Sequence, residues 1–145
     1  MQIKKDFWKN KNVLITGQTG FKGSWLTLIL HYLGSNINGI ALNPIGKKNI
    51  FNLLKINKIL KKDYRKNILD LPNLKNVIKK TKPKIIFHLA AQPLVIESFK
   101  DSRKTVMTNI VGTSNVLEAV KGHTSVKCVK IENTDKVYQN YNIHF

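Results

Sequence analysis

The sequence predicts an α/β fold: an open parallel sheet of five strands, wound with helices on both sides, in the order 3-2-1-4-5. Three observations carry that expectation. Short apolar runs alternate with longer segments of helical period, as a βαβ chain reads. A glycine-rich turn joins the first strand to the first helix. Right-handed crossovers then place successive strands on either side of the first one.

The elements follow in order along the chain. Asn12 to Thr16 reads as a strand bounded by Gly17. From Lys22 to Leu33 the apolar residues Leu26, Ile29, Leu30 and Leu33 recur at helical spacing, and Gly34 stops the helix as a left-handed terminal glycine does. Ile37 to Leu42 is the second strand, ended by Asn43-Pro44, and Asn49 to Leu60 reads as one short helix. A weak strand from Tyr64 to Ile68 precedes a helix from Leu71 to Lys80 that buries Leu74, Val77 and Ile78; Pro83 forbids its continuation. Lys84 to Leu89 is uniformly apolar, which predicts cover on both faces. Asp101 to Lys121 reads as a long helix with a buried stripe of Val106, Ile110, Thr113, Leu117 and Val120, and Val126 to Ile131 as the fifth strand. A full doubly wound domain adds a sixth strand and more helices, so the expected sheet is truncated after strand five.

Composition narrows the function classes. The 145 residues make one domain, with 25 Lys+Arg against 8 Asp+Glu and a formal charge of +17. One cysteine excludes a disulfide framework, no His/Cys cluster has metal-ligand spacing, and a cytoplasmic setting follows by default. No apolar run reaches the roughly 18 residues of a membrane span, and Met1 to Asn10 lacks the apolar core of a secretory signal. Only two of the cations are Arg, the residue that reads phosphates and bases bidentately, and the Lys-, Ile- and Asn-rich usage is what an AT-rich genome supplies. The basic stretch Lys47 to Lys84 is therefore read as solvated surface, with neither nucleic acid nor membrane expected as a partner.

Gly17-Gln18-Thr19-Gly20-Phe21-Lys22-Gly23 lies between a strand and a helix, the context in which a glycine pattern becomes a phosphate-site argument. Gly17 permits a tight turn, Gly20 lets backbone approach a diphosphate, and Gly23 lets the helix pack on the sheet. The positive end of the helix attracts the anion. At the end of strand two Asn43 stands where a carboxylate would accept from a ribose 2′-hydroxyl, with Lys47 and Lys48 just beyond. Asn lacks the charge that repels a 2′-phosphate, so NAD is only weakly favoured over NADP. His88 is expected to be a hydrogen-bonded core histidine, Cys128 a small buried thiol, and Trp8 and Trp25 packing residues.

Asp6-Phe7-Trp8, Val13 to Leu26, and Phe87-His88-Leu89-Ala90-Ala91-Gln92-Pro93-Leu94-Val95 resemble the amino-terminal part of the CDP-glucose 4,6-dehydratase family. That family belongs to the extended short-chain dehydrogenase/reductases, which are Rossmann-like. Thr108 to Thr113 and Asn133-Thr134-Asp135-Lys136-Val137-Tyr138 continue the likeness, which covers residues 6 to about 140. The resemblance implies a lyase of nucleotide-sugar and O-antigen metabolism that oxidises a sugar at C4, eliminates water across C5 and C6, and returns hydride to C6.

By resemblance, Gly17, Thr19, Gly20, Phe21, Lys22 and Gly23 cover the pyrophosphate of NAD, and Asn43 faces the ribose. Asn67 and Ile68 face the adenine, while Leu89, Ala90, Ala91 and Gln92 line the cofactor from the other side. Thr134 is expected to hydrogen-bond the C4 oxygen, and Asp135 and Lys136 to serve the acid/base elimination. Members usually carry His at the place of Gln18, an acid at Asn43 and Asp at Asn67, and a Tyr-x-x-x-Lys pair beyond strand five. No such pair occurs in this sequence, and the tail Asn140 to Phe145 departs from the likeness. The expected reading is a cofactor-binding portion, inactive alone, without the family's carboxy-terminal sugar-nucleotide part or one of its two dimerisation helices. Two alternatives stay open: a non-catalytic nucleotide module or subunit of a split enzyme, and another extended short-chain epimerase or reductase.

Overall fold

In the computed structural model, residues 5–46 and 48–133 are described. Strands β1 (Asn12–Thr16), β2 (Asn36–Ala41), β3 (Lys62–Arg65), β4 (Ile85–His88) and β5 (Cys128–Ile131) pair in parallel in the order β3-β2-β1-β4-β5, as expected. The connections carry α1 (Lys5–Trp8), α2 (Phe21–Tyr32), α3 (Ile50–Leu53), α4 (Ile56–Ile59), α5 (Leu71–Thr81), α6 (Val95–Lys100), α7 (Ser102–Val106) and α8 (Gly112–Val120). A π-helical turn at Met107–Val111 joins the last two.

The period of two along each strand divides the core into two layers. Leu14, Ile40 and Ile86 face one side and pack on Leu74, Val77 and Ile78 of α5 and on Val116 and Ala119 of α8. Val13, Ile15 and Ile37 face the other and meet Leu30 of α2, with Trp8 and Phe87 at the margin. Helix α5 starts where the Asp70 carboxylate accepts from the Asn73 amide at 3.1 Å, with Pro72 in the first turn. That hydrogen bond holds the Asp70 carboxyl below its ordinary range. The helix ends at Lys82, left-handed at φ 42°, before Pro83.

Several expectations are corrected. The single helix over Asn49 to Leu60 is two one-turn helices, because Lys55 adopts a left-handed φ of 50° between them. Strand β3 begins at Lys62 and stops at Arg65, since Asn67 folds into a turn in which its side-chain oxygen accepts from the Leu69 amide. The long helix over Asp101 to Lys121 is α7, the π turn and α8, and its buried stripe is Gly112, Val116 and Ala119. Val106, Ile110 and Leu117 are exposed, because one extra residue in the π turn rotates the face presented to the sheet. Helix α6 lies in a stretch to which the sequence pattern assigns no element, and it buries none of its residues. On β4, Ile86 and His88 are buried while Ile85 and Phe87 are only half-covered, so one face alone is sealed. Cys128 is exposed, since it opens an edge strand paired on one side only. Trp25 stands on the outer side of α2 at 41% exposure, whereas Trp8 does pack.

Candidate functional site

All strands run the same way, so their carboxyl ends form one edge, and the strand order reverses between β1 and β4. That reversal is where open α/β sheets bind ligands. The turn after β1 is built by its glycines. Gly17 has φ 80°, and a Cβ on it would lie 2.7 Å from the Ala90 amide nitrogen, so only glycine lets this turn touch the one after β4. Gly20 N–H donates to Gly17 O at 3.0 Å, closing the turn. A Cβ on Gly23 would fall 2.1 Å from Gly17 O, which fixes the close approach of α2 to the turn. Gly20 differs: its nearest neighbour in that test is Gly17 O at 3.4 Å, with open space otherwise.

The first bond of α2 runs from Ser24 N–H to Gly20 O at 2.9 Å, so the amides of Phe21, Lys22 and Gly23 precede it without a helical acceptor. No side chain caps them. The buried Ser24 hydroxyl ties the helix to the turn by donating to Gln18 O at 3.0 Å, while the buried Thr27 hydroxyl is satisfied within the helix by Gly23 O at 2.7 Å. Lys22 reaches from the helix start to Glu132, just past β5, at 2.6 Å. Hydrogen bonding to Lys22, then to Lys130, holds the Glu132 carboxyl below its ordinary range.

The wall after β4 is positioned by a hydrogen-bond chain. Leu89 N–H donates to Thr16 O and Ala90 N–H to Thr16 Oγ1, at 3.0 and 3.2 Å. His88 is buried, with Nδ1 2.6 Å from Thr16 Oγ1 and Nε2 2.9 Å from Thr113 Oγ1. Thr113 donates to Asn109 O at 2.7 Å, so its oxygen is left to accept from His88 Nε2–H, and Nδ1 accepts from Thr16. The ring is therefore neutral, and burial pushes its pKa down. The expected core histidine is what the fold contains. Asn109 clamps the loop, accepting from the Gln92 amide at 2.8 Å and donating to Gln92 O at 3.1 Å. The Gln92 side chain turns inward to Leu94 and Thr105, leaving Leu89, Ala90 and Ala91 as the turn's remaining surface.

At the other side, Asn43 is exposed just beyond β2, and Arg65 Nη1 donates to Leu42 O at 3.2 Å beside it. Asn67 is exposed beyond β3; Ile68 is 5% exposed, its side chain belongs to the core against Gly112, and its carbonyl accepts from Asn115 Nδ2 at 3.2 Å. Gln18 is fully buried rather than lining the edge. Its Nε2 donates to Asp63 Oδ1 at 2.9 Å, Asp63 pairs with Arg65 at 2.6 Å, and Gly39 leaves the room that Gln18 fills. The fold thus brings Gly17, Thr19, Gly20, Phe21, Lys22, Gly23, Asn43, Asn67 and Leu89 to Gln92 to one edge. Thr134, Asp135 and Lys136 lie outside the described residues, as does Lys47. Sequence reading missed Thr16, Asn109 and Thr113. The four-residue spacing of the last two, one helical turn, was the available signal.

The residues present suit a dinucleotide diphosphate: three unclaimed amides face a glycine whose missing Cβ leaves space. Among the described residues no cluster of metal ligands occurs, and no helix is long and apolar enough to cross a membrane.

The sequence profile of the GDP-mannose 4,6 dehydratase family matches residues 14–141. The chain is 41% identical to a CDP-glucose 4,6-dehydratase of Salmonella typhimurium over 95% of its length, spanning 38% of that relative. A solved UDP-glucose 4-epimerase of Stenotrophomonas maltophila with bound NAD shares the fold at a TM-score of 0.77 and 23% identity, over 92% of this chain and 40% of that one. The Brucella ovis UDP-glucose 4-epimerase in complex with NAD superposes at a TM-score of 0.69 with 25% identity, over 83% of this chain and 35% of that one. With a profile match over most of its length and 41% identity to a curated member over 95% of it, the chain belongs to the GDP-mannose 4,6 dehydratase family of sugar-nucleotide dehydratases and epimerases.

Proposed function

We propose that this chain holds a nicotinamide dinucleotide, NAD ahead of NADP, across the β1–β4 switch point, as the cofactor-binding portion of a CDP-glucose 4,6-dehydratase. The observation that carries this reading is the start of α2: the free amides of Phe21, Lys22 and Gly23 above the bare Gly20. Those amides hold the diphosphate, with the helix's positive end behind them. Thr19 stands in the same turn. Asn43 hydrogen-bonds the adenosine ribose, the backbone of Ile68 and the Asn67 amide meet the adenine, and Leu89, Ala90, Ala91 and the Gln92 backbone exclude water from the opposite side. When bound, the nicotinamide supplies a reversible hydride acceptor. The 41% identity to a CDP-glucose enzyme supports the sugar nucleotide, and NAD in the Brucella relative supports the cofactor.

In this reading Thr134 donates to the sugar's C4 oxygen, while Asp135 and Lys136 hold and move the protons of the elimination. The 145 residues contain no Tyr-x-x-x-Lys pair to take the C4 hydroxyl proton, so the chain assayed alone binds cofactor without turnover.

Titration calorimetry with NAD and NADP, beside an assay for the 4-keto product of CDP-glucose, tests this reading. Expected are heat of binding for NAD, loss of that heat in Gly20→Val, and no 4-keto sugar. No binding of either dinucleotide would remove the dinucleotide reading; robust turnover would remove the claim of inactivity.

A further inference from the structure

The opposite edge of the sheet, where the strands begin, carries a feature unrelated to the glycine turn. A cleft of about 380 Å³ lies between the starts of β1, β2 and β3 and the end of α5. Lys61, Lys62, Lys80 and Lys82 wall it, Asn12 and Asn38 floor it, and no carboxylate lines it. None of the four lysines takes part in an ion pair among the described residues.

Asn38 is the informative residue. It sits on the sheet face that continues to Ile40 and Leu14, opposite Leu14 and Lys62 in register, and is 3% exposed. Its side-chain amide has no hydrogen-bond partner among the described residues and opens into the cleft. Beside it, the Asn12 amide makes only a long 3.5 Å contact to Thr81 O. That amide is not sealed off: among the described residues the buried side-chain polar atom without a partner is Gln18 Oε1, whereas the Asn38 amide meets the solvent of the cleft and keeps its hydrogen-bonding capacity for a ligand there. The negative end of α5 accounts for Lys80 and Lys82. It does not account for Lys61 and Lys62, which stand on the other wall at the start of β3. A concave surface lined by one sign of charge focuses the field on whatever enters it.

We propose that this cleft binds a small, multiply charged anion of the phosphate type. The Asn38 and Asn12 amides donate to its oxygens and the four ammonium groups balance its charge. The volume is that of a small-metabolite site. A concave floor with a buried amide fits a compact ligand, whereas a nucleic-acid backbone is met by an open basic face. Strands of four to six residues at roughly 3.3 Å per residue keep this cleft apart from the glycine turn, so its occupancy is independent of the dinucleotide.

The test is titration of the 145-residue chain with inorganic pyrophosphate, followed by amide nitrogen–proton NMR to locate the bound ion. The expected result is resonance shifts at Asn12, Asn38, Lys61, Lys62 and Lys82 that persist in Gly20→Val. Asn38→Leu weakens binding about tenfold or more, because it removes the donor at the floor of the cleft. If Asn38→Leu fails to fold, the double variant Lys62→Gln/Lys82→Gln replaces it, with a similar loss expected. Lys58→Gln/Lys104→Gln, away from the cleft, should leave affinity within about twofold. The proposal is overturned by shifts confined to Gly17 through Gly23, by equal losses in the two lysine pairs, or by a DNA duplex binding more tightly than pyrophosphate.

Discussion

Gly20 and Gly23 stand three residues apart in the same turn, yet the structure assigns them different work, and alanine at each position separates folding from binding. In Gly23→Ala the new Cβ would lie 2.1 Å from Gly17 O and 2.8 Å from Gln18 Cα, both backbone atoms of a turn already pinned against Ala90. Neither can retreat without moving β1 or α2. Overpacking of this kind costs up to about 3 kcal/mol, which in a domain of this size lowers Tm by roughly 10 °C. In Gly20→Ala the nearest atom lies at 3.4 Å and φ is −79°, an ordinary conformation for alanine. Alanine gains about 0.4–1 kcal/mol by restricting the unfolded chain and loses a comparable amount as a poorer N-cap, so Tm should stay within about 3 °C. The same methyl fills the space a diphosphate needs, and NAD affinity should fall at least tenfold, or about 1.4 kcal/mol. Differential scanning calorimetry and NAD titration of the two variants give four numbers. A Gly23→Ala protein with unchanged Tm, or a Gly20→Ala protein with unchanged NAD affinity, would refute this division of labour.

Two further outcomes follow from the wall beside the turn. Burial lowers the pKa of His88, so the unfolded chain binds a proton that the folded one refuses. Stability should therefore fall as pH drops below about 6.5, by at most about 1.4 kcal/mol per pH unit, and His88→Gln should flatten that part of a Tm-against-pH profile. Asn109→Ala removes the acceptor for the Gln92 amide and the donor to its carbonyl, at a cost of about 1–3 kcal/mol, measurable by urea denaturation.

Local chemistry made much of the fold legible. Strand β1, helix α5 and its stop before Pro83 follow from a short apolar run bounded by Gly17, the stripe of Leu74, Val77 and Ile78, and a proline, all signals contained within a dozen residues. The helix after β4 was misread for a reason that no local pattern holds. Its apolar residues recur at helical spacing on either side of the π turn, but the extra residue there shifts their phase, and Gly112 rather than Ile110 packs on Ile68, a residue distant in the chain. The exposed Cys128 is a similar case, since edge position depends on which strands pair and not on the strand's own residues.

At the site, the sequence by itself determined the glycine turn, because a residue without a Cβ is required wherever backbone meets backbone or an anion, and that requirement is written one residue at a time. Only the tertiary structure decided that Gln18 is buried against Asp63, that His88 is held neutral between Thr16 and Thr113, and that Asn38 faces a cleft walled by lysines. Each of those outcomes joins groups 25 to 72 residues apart in the chain or depends on how strands and helix end are assembled. Burial and partner choice are properties of the packed sheet, where desolvation sets the cost of every polar group.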